Sequence, residues 1–204
     1  MQSKVLILDF GSQVTKLIAR NIRELNVYCE IIPYNSSLEK IKSMNPDCLI
    51  LSGSPASIYD KKPPLFDERI LNDKLPILGI CYGAQLISKI FKSNVKKSKI
   101  REFGPSKLIK FKNNKILQGI KNKSVTWMSH GDTIVKLGSK LQVLAKSEFG
   151  SIALYKHKNK NISQKKISNI NKAPQKPTGE EMIYRKTRQK NTSDSEEESC
   201  RLVI

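Results

Sequence analysis

Apolar runs and amphipathic stretches alternate along the first ninety residues, and that rhythm predicts the fold. Lys4 to Phe10 is almost continuously apolar, the pattern of a strand buried on both faces. Gly11 and Ser12 mark a turn. Val14, Leu17, Ile18, Ile22 and Leu25 then recur at helical spacing, which predicts a helix from about Gln13 to Glu24. Val27 to Ile32 returns as a strand. Leu38 to Met44 predicts a short helix, stopped by Asn45 and Pro46, because the residue before a proline is driven out of helical geometry. Cys48 to Leu51 predicts a third strand, ending at Ser52-Gly53-Ser54-Pro55. A short helix is expected near Phe66 to Leu71, then a strand from Leu75 to Ile80 and an amphipathic helix from Tyr82 to Phe91. Strand and helix in alternation imply an α/β fold with a doubly wound parallel sheet flanked by helices. In such sheets the loops at the carboxyl ends of the strands converge on the site. Those loops are Phe10–Ser12, Ser52–Pro55 and Cys81–Gly83.

Beyond Phe91 the texture changes. Leu108 to Phe111, Val125 to Ser129, Leu141 to Ala145 and Ile152 to Tyr155 are short apolar runs separated by Gly, Asn, Asp and Ser. They predict antiparallel strands added to the sheet as hairpins. Near Ile162 the texture changes again. Residues 163–204 hold scattered apolar residues, mixed charge and an acidic run at 192–199. No core-facing period survives there, so a divergent, disordered tail is expected after a domain spanning 1–162.

Thiol chemistry enters at Gly79-Ile80-Cys81-Tyr82-Gly83. This is the cysteine form of a nucleophile elbow: strand, sharp turn, helix, with the reactive side chain at the turn. The glycines permit a tight turn. A helix start places the sulfur in positive potential, which is expected to favour the thiolate. The next backbone N–H, on Tyr82, can serve an oxyanion. The elbow therefore predicts acyl transfer through a thioester, with Cys81 as nucleophile.

Charge and cysteine count narrow the setting. The formal net charge is +19, which in principle suits a nucleic-acid partner. Here the lysines are scattered singly over surface-like positions, so no nucleic-acid partner is expected. The basic surface would instead help attract anionic ligands or an acidic partner domain. Four cysteines, Cys29, Cys48, Cys81 and Cys200, lack metal-ligand spacing, and no metal is expected. Cys29 and Cys48 sit in strand-like runs as small core residues. A reducing, cytoplasmic setting follows, with one reactive thiol at 81. No run of 18 apolar residues exists, so no membrane span is expected.

The elbow has company. Leu6 to Gln13, Leu49 to Gly53, Gly79 to Gln85, Arg101-Glu102-Phe103-Gly104 and Trp127-Met128-Ser129-His130-Gly131-Asp132 occur in that order. Together they resemble the class I, triad-type glutamine amidotransferase domain of GMP synthases, over about residues 4–162. The resemblance implies that Cys81 attacks the side-chain amide of glutamine, releasing ammonia, and that water then releases glutamate. It implies a separate synthetase domain or subunit that uses ATP and Mg to aminate XMP to GMP, and no cofactor in this domain. It assigns the oxyanion-hole N–H groups to Tyr82 and to Ser54 in the Gly53 loop. Ser54 stands where the family has a second glycine, and its side chain narrows the backbone options. Gln85 resembles the family's glutamine-contacting residue, and Ser129, His130, Gly131 and Asp132 the segment that holds the substrate's α-amino and carboxylate groups. On the residues alone, Gln85 could also bridge a buried loop, and Asp132 could be a turn residue.

One element of the pattern is missing. The family carries a His-Pro-Glu element after the strand matching Ile152 to His157; its histidine is general base and acid, and its glutamate orients that histidine. Here Asn159 to Ile162 run into Ser163-Gln164-Lys165-Lys166. The only histidines are His130 and His157. Neither is placed by motif to serve Cys81. His157, between Lys156 and Lys158, is expected to be exposed. The match ends abruptly near Ile162, as in a truncated domain, and no phosphate loop of the synthetase kind follows. Glutamine hydrolysis is therefore expected to be impaired. The alternative is a non-catalytic remnant that binds glutamine or a synthetase.

Overall fold

The computed structural model describes residues 3–110, 117–159 and 202–203. Four parallel strands form the first sheet: β1 (Lys4–Asp9), β2 (Tyr28–Pro33), β3 (Cys48–Leu51) and β4 (Ile77–Gly79), in the order β2-β1-β3-β4. Val5 pairs with Cys29 on one side and Cys48 on the other. Side chains alternate faces along a strand, and β1 shows why its sequence is apolar without a break. Leu6 and Leu8 enter one core with Ile32, Leu49 and Leu51, whereas Val5 and Ile7 enter another with Ala19, Val27, Cys29 and Ile50. Both faces are covered, as a doubly wound sheet requires.

Helix α1 (Thr15–Glu24) covers the second of these faces. It buries Thr15 and Ala19 and packs Ile18 and Ile22 beside them, leaving Leu17 and Leu25 exposed. Only part of the predicted apolar stripe thus meets the sheet. Helix α2 (Leu38–Ser43) covers the other face through Leu38 and Ile41. Its start is capped by Ser37, whose hydroxyl accepts from the Lys40 N–H at 3.2 Å, one of the preferred N-cap arrangements. It ends where Asn45, just before Pro46, turns to φ 46°, the left-handed geometry that closes many helices. The helix expected near Phe66 is a 3-10 segment, Glu68–Asn72. Helix α3 (Tyr82–Ile90) follows β4 and packs Leu86 into the same core as α2.

The later strands extend further than their apolar runs. They are β5 (Asn94–Lys110), β6 (Val125–Lys136), β7 (Leu141–Ser147) and β8 (Ile152–His157). They are antiparallel, as expected, but they form a second hydrogen-bonded sheet rather than extending the first. β9 (Leu202–Val203) pairs with β6 at Thr126 and Trp127. The sheet has its own core of Leu108, Leu117, Met128, Leu144, Ala145 and Ala153. It reaches the first core through Val95 and Ile134, and Tyr155 donates its hydroxyl to the Ala84 carbonyl in the first turn of α3. Much of the anticipated tail, 163–201 and 204, and the boundary at 162 lie outside the described residues. Among the described residues no helix is long and apolar enough to cross a membrane.

Burial separates two leucines that the sequence pattern treats alike. Leu6 is 0% exposed and Leu17 47% exposed. Leu6→Ala is expected to cost about 2–5 kcal/mol by urea unfolding, and Leu17→Ala to stay within about 0.5 kcal/mol. Equal losses would contradict this placement of α1.

Candidate active site

The elbow forms because two glycines let α3 sit directly on the sheet. A Cβ on Gly79 would lie 2.6 Å from the Ala84 nitrogen, and one on Gly83 2.5 Å from the Leu51 carbonyl oxygen. Backbone hydrogen bonds fix the turn: Ile80 N–H donates to Leu51 at 2.9 Å, Gly83 N–H to Ser52 at 3.2 Å, and Gln85 N–H to Cys81 at 3.0 Å. Cys81 caps α3 at φ 51° and ψ −109°. A non-glycine residue held there is strained and persists only where its surroundings over-determine it, a pattern typical of functional sites.

Three loops meet at this cysteine. The position a Cβ would take on Gly53 lies 3.6 Å from the Cys81 Cβ and 3.4 Å from the Ser12 Oγ. Ser52, 0% exposed, staples the first two loops together. Its hydroxyl accepts from the Phe10 N–H at 3.0 Å and donates to the Gly53 carbonyl at 3.0 Å. The convergence falls at the carboxyl ends of the strands, beside β1 and β3, where the strand order reverses. Open α/β sheets bind ligands at such a point. Ser54 is not among the residues with positive φ, so its side chain adds no backbone strain where the family has glycine. Its hydroxyl accepts from the Ala56 N–H at 3.2 Å, turning the loop.

The expected ease of Cys81 ionisation is not met. Burial pushes the thiol above its ordinary value, and the nearby Asp132 carboxylate adds to the rise; the Tyr82 N–H opposes both. The helix start supplies an amide donor, but desolvation of the charged sulfur outweighs it. Cys48 is pushed up to about 11 by burial, and Cys29 is buried with its thiol donating to the Ala19 carbonyl at 3.4 Å. Because burial raises the Cys81 thiol above its ordinary value, its alkylation rate is expected to go on climbing as pH rises beyond neutrality. A plateau near pH 7 in a rate-versus-pH profile would contradict this.

Tyr82 is rooted in the core. Its ring packs on Phe10 with centroids 5.6 Å apart, and its hydroxyl donates to the Pro64 carbonyl at 2.9 Å. Gln85 and Asp132 are brought into mutual contact, each 7% exposed. The Gln85 side-chain amide donates to the Asp132 carbonyl at 2.9 Å, so Gln85 does bridge a buried segment. The Asp132 carboxylate accepts from the Ser57 hydroxyl at 2.7 Å. Gly131 is exposed; Ser129 and His130 lie on β6 opposite Phe103 and Glu102.

His157 sits elsewhere. Its ring is half-buried against Phe91, 4.9 Å between centroids, rather than exposed. Phe91 closes α3 and Cys81 opens it, a separation of roughly 15 Å along the axis at the helical rise per residue. His157 lines a cleft of about 440 Å³ with Arg69, Ile90, Phe91 and Lys140, at the far end of the helix from the thiol.

Sequence reading missed Ser57 and Tyr155. Ser57 lies 75 residues from Asp132, so no local spacing could have linked them.

The family model for class-I glutamine amidotransferases matches residues 6–164. The chain is 42% identical over 162 residues to the GMP synthase [glutamine-hydrolyzing] of Carboxydothermus hydrogenoformans, covering 79% of this chain and 32% of that protein. It is 46% identical over 160 residues to that of Spiroplasma kunkelii, covering 78% and 31%. The chain thus spans about a third of the length of these curated relatives. Among solved structures, a protein from Thermoplasma acidophilum described as a GMP synthase subunit superposes with a TM-score of 0.67 at 30% identity, covering 78% of this chain and 80% of that one. A Thermotoga maritima glutamine amidotransferase shares the fold at 22% identity and a TM-score of 0.65, covering 77% and 72%. The chain belongs to the class-I glutamine amidotransferase family, as a domain of the GMP synthase type.

Proposed function

We propose that this chain binds glutamine and uses Cys81 to form a thioester with it, but turns over slowly because its sequence lacks the family's His-Pro-Glu element. The observation that carries the reading is the elbow: a strained Cys81 beside Gly53, while the His157 ring packs at the other end of α3. Cys81 would attack the side-chain carbonyl carbon of glutamine. The developing oxyanion would be met by the N–H groups of Tyr82 and Ser54. Ammonia would leave with a proton drawn from solvent, the step a positioned histidine normally assists. Gly53, Gln85 and the Ser129–Asp132 segment would shape the glutamine pocket. Glutamine hydrolysis in such a domain would serve a cytoplasmic, ATP-dependent synthetase that aminates XMP to GMP, with ATP and Mg bound by that partner and not here.

A second reading is a non-catalytic module that keeps the fold and binds glutamine or the synthetase. The raised Cys81 thiol and the absent His-Pro-Glu favour it. Labelling separates the two. A glutamine-like chloroketone is expected to modify Cys81 stoichiometrically, protected by glutamine, before Cys29 or Cys48 reacts. Peptide mapping that finds Cys29 or Cys48 modified first would sink the nucleophile assignment.

A further inference from the structure

The loop that carries Gly53 and Ser54 is held at two points. At its start the buried Ser52 hydroxyl ties it to Phe10. Five residues on, Ser57 ties it to the second sheet: the Ser57 hydroxyl donates to the buried Asp132 carboxylate at 2.7 Å, a charge-assisted bond of the stronger kind. Ser57 also organises its own surroundings. Its N–H donates to the Asp60 carboxylate at 2.9 Å, and its hydroxyl accepts from the Tyr59 N–H at 3.1 Å. The next residue, Ile58, is buried, and its carbonyl accepts from the Lys89 ammonium on α3 at 3.3 Å. Asp132 in turn receives the Gln85 side chain on its carbonyl. Residues 53–56 are thus a short span between two fixed ends, with the nucleophile beside its first residue, Gly53.

We propose that Ser57 is a positioning residue for acyl transfer at Cys81. Its clamp on Asp132 sets where the Gly53–Ser54 backbone stands relative to the thiol. The inference rests on the assignment of Cys81 as nucleophile and deepens it, because it ties the second sheet to the alignment of the oxyanion-binding loop. Such alignment is worth a great deal: a displacement of about 1 Å at a reacting centre can cost about a hundredfold in rate. Ser57→Ala removes the donor and keeps the backbone.

The test compares two reagents on the full chain. A glutamine-like chloroketone develops an oxyanion in the site, whereas iodoacetamide needs only an accessible thiolate. Ser57→Ala is expected to lower the maximal chloroketone inactivation rate about tenfold to a hundredfold, with its half-saturating concentration and the iodoacetamide rate within about twofold of wild type. Ser57→Thr, which restores a hydroxyl, should recover the chloroketone rate to within about threefold. If Ser57→Ala does not fold, Ser57→Val, which matches threonine in shape but lacks the hydroxyl, removes the same donor, and a fall in maximal chloroketone rate alone is the expected result. Unchanged chloroketone kinetics, or an equal fall with both reagents, would overturn the role of Ser57. Wild-type chain that the chloroketone leaves unmodified at Cys81 would instead overturn the nucleophile assignment, and this inference with it.

Discussion

Steady-state glutamate release by this chain is expected to run about a hundredfold to ten-thousandfold below that of a relative with an intact triad. General acid–base assistance alone is worth that much. The sequence carries no His-Pro-Glu within residues 152–204, and the His157 ring lies against Phe91 at the far end of α3. Burial and the Asp132 carboxylate push the Cys81 thiol above its ordinary value, which disfavours the thiolate at neutral pH. Residues of a triad act as a unit, and losing the histidine removes most of the benefit of the nucleophile. Acylation can still occur once, assisted by the Tyr82 N–H, while hydrolysis of the thioester would proceed without a His-Pro-Glu histidine to activate water. A single stoichiometric release of ammonia followed by near silence is the expected time course. The measurement is glutamate release by the wild-type chain against Cys81→Ala. Turnover at a normal family rate that Cys81→Ala abolishes would show that a base has been misplaced, and His130 and His157 would be the first residues to replace.

Gly83→Ala is expected to destabilise the domain by about 2 kcal/mol, against the local preference. Position 83 is helical, and alanine there should gain up to about 1 kcal/mol on propensity alone. Sterics oppose it with greater force. The new Cβ would stand 2.5 Å from the Leu51 carbonyl oxygen and 2.6 Å from the Leu51 Cβ. Leu51 is 0% exposed in the central sheet, so the strand cannot withdraw, and overpacking of this kind costs about 1–3 kcal/mol or occasionally more. Relief by lifting α3 would stretch the Gly83 N–H bond to Ser52 and carry Cys81 away from Gly53. Gly131→Ala is the control, because a Cβ there meets nothing within 4 Å. Urea unfolding of both variants decides the matter. A Gly83→Ala chain as stable as wild type would mean that helix and sheet are not in the contact described.

The elbow, the parallel sheet and the three converging loops were legible because each rests on contiguous sequence. A continuous apolar run such as Lys4 to Phe10 can only be buried on both sides, and the Gly-x-Cys-x-Gly spacing marks a turn that few other sequences make. The antiparallel strands were legible in kind but not in extent. β5 runs through Lys96 and Lys97, where neighbouring strands, not apolar periodicity, hold the backbone extended. Their grouping into a second sheet was also invisible, since strand pairing depends on which edges meet in space.

By itself the chain's sequence determined the fold class, the family motifs, the thiol at the turn and the absence of a His-Pro-Glu element, all of them matters of local pattern. Tertiary structure alone decided the electrostatics and the cross-links of the site. Whether Cys81 ionises readily depends on a balance between one backbone N–H and the desolvation imposed by everything packed around it, and burial is a property of the assembled core. Whether Gln85 reaches outward or ties down Asp132, and whether Ser57 joins the site at all, depends on segments 47 and 75 residues apart in the chain. Only the docking of the second sheet on the first brings them within hydrogen-bond distance.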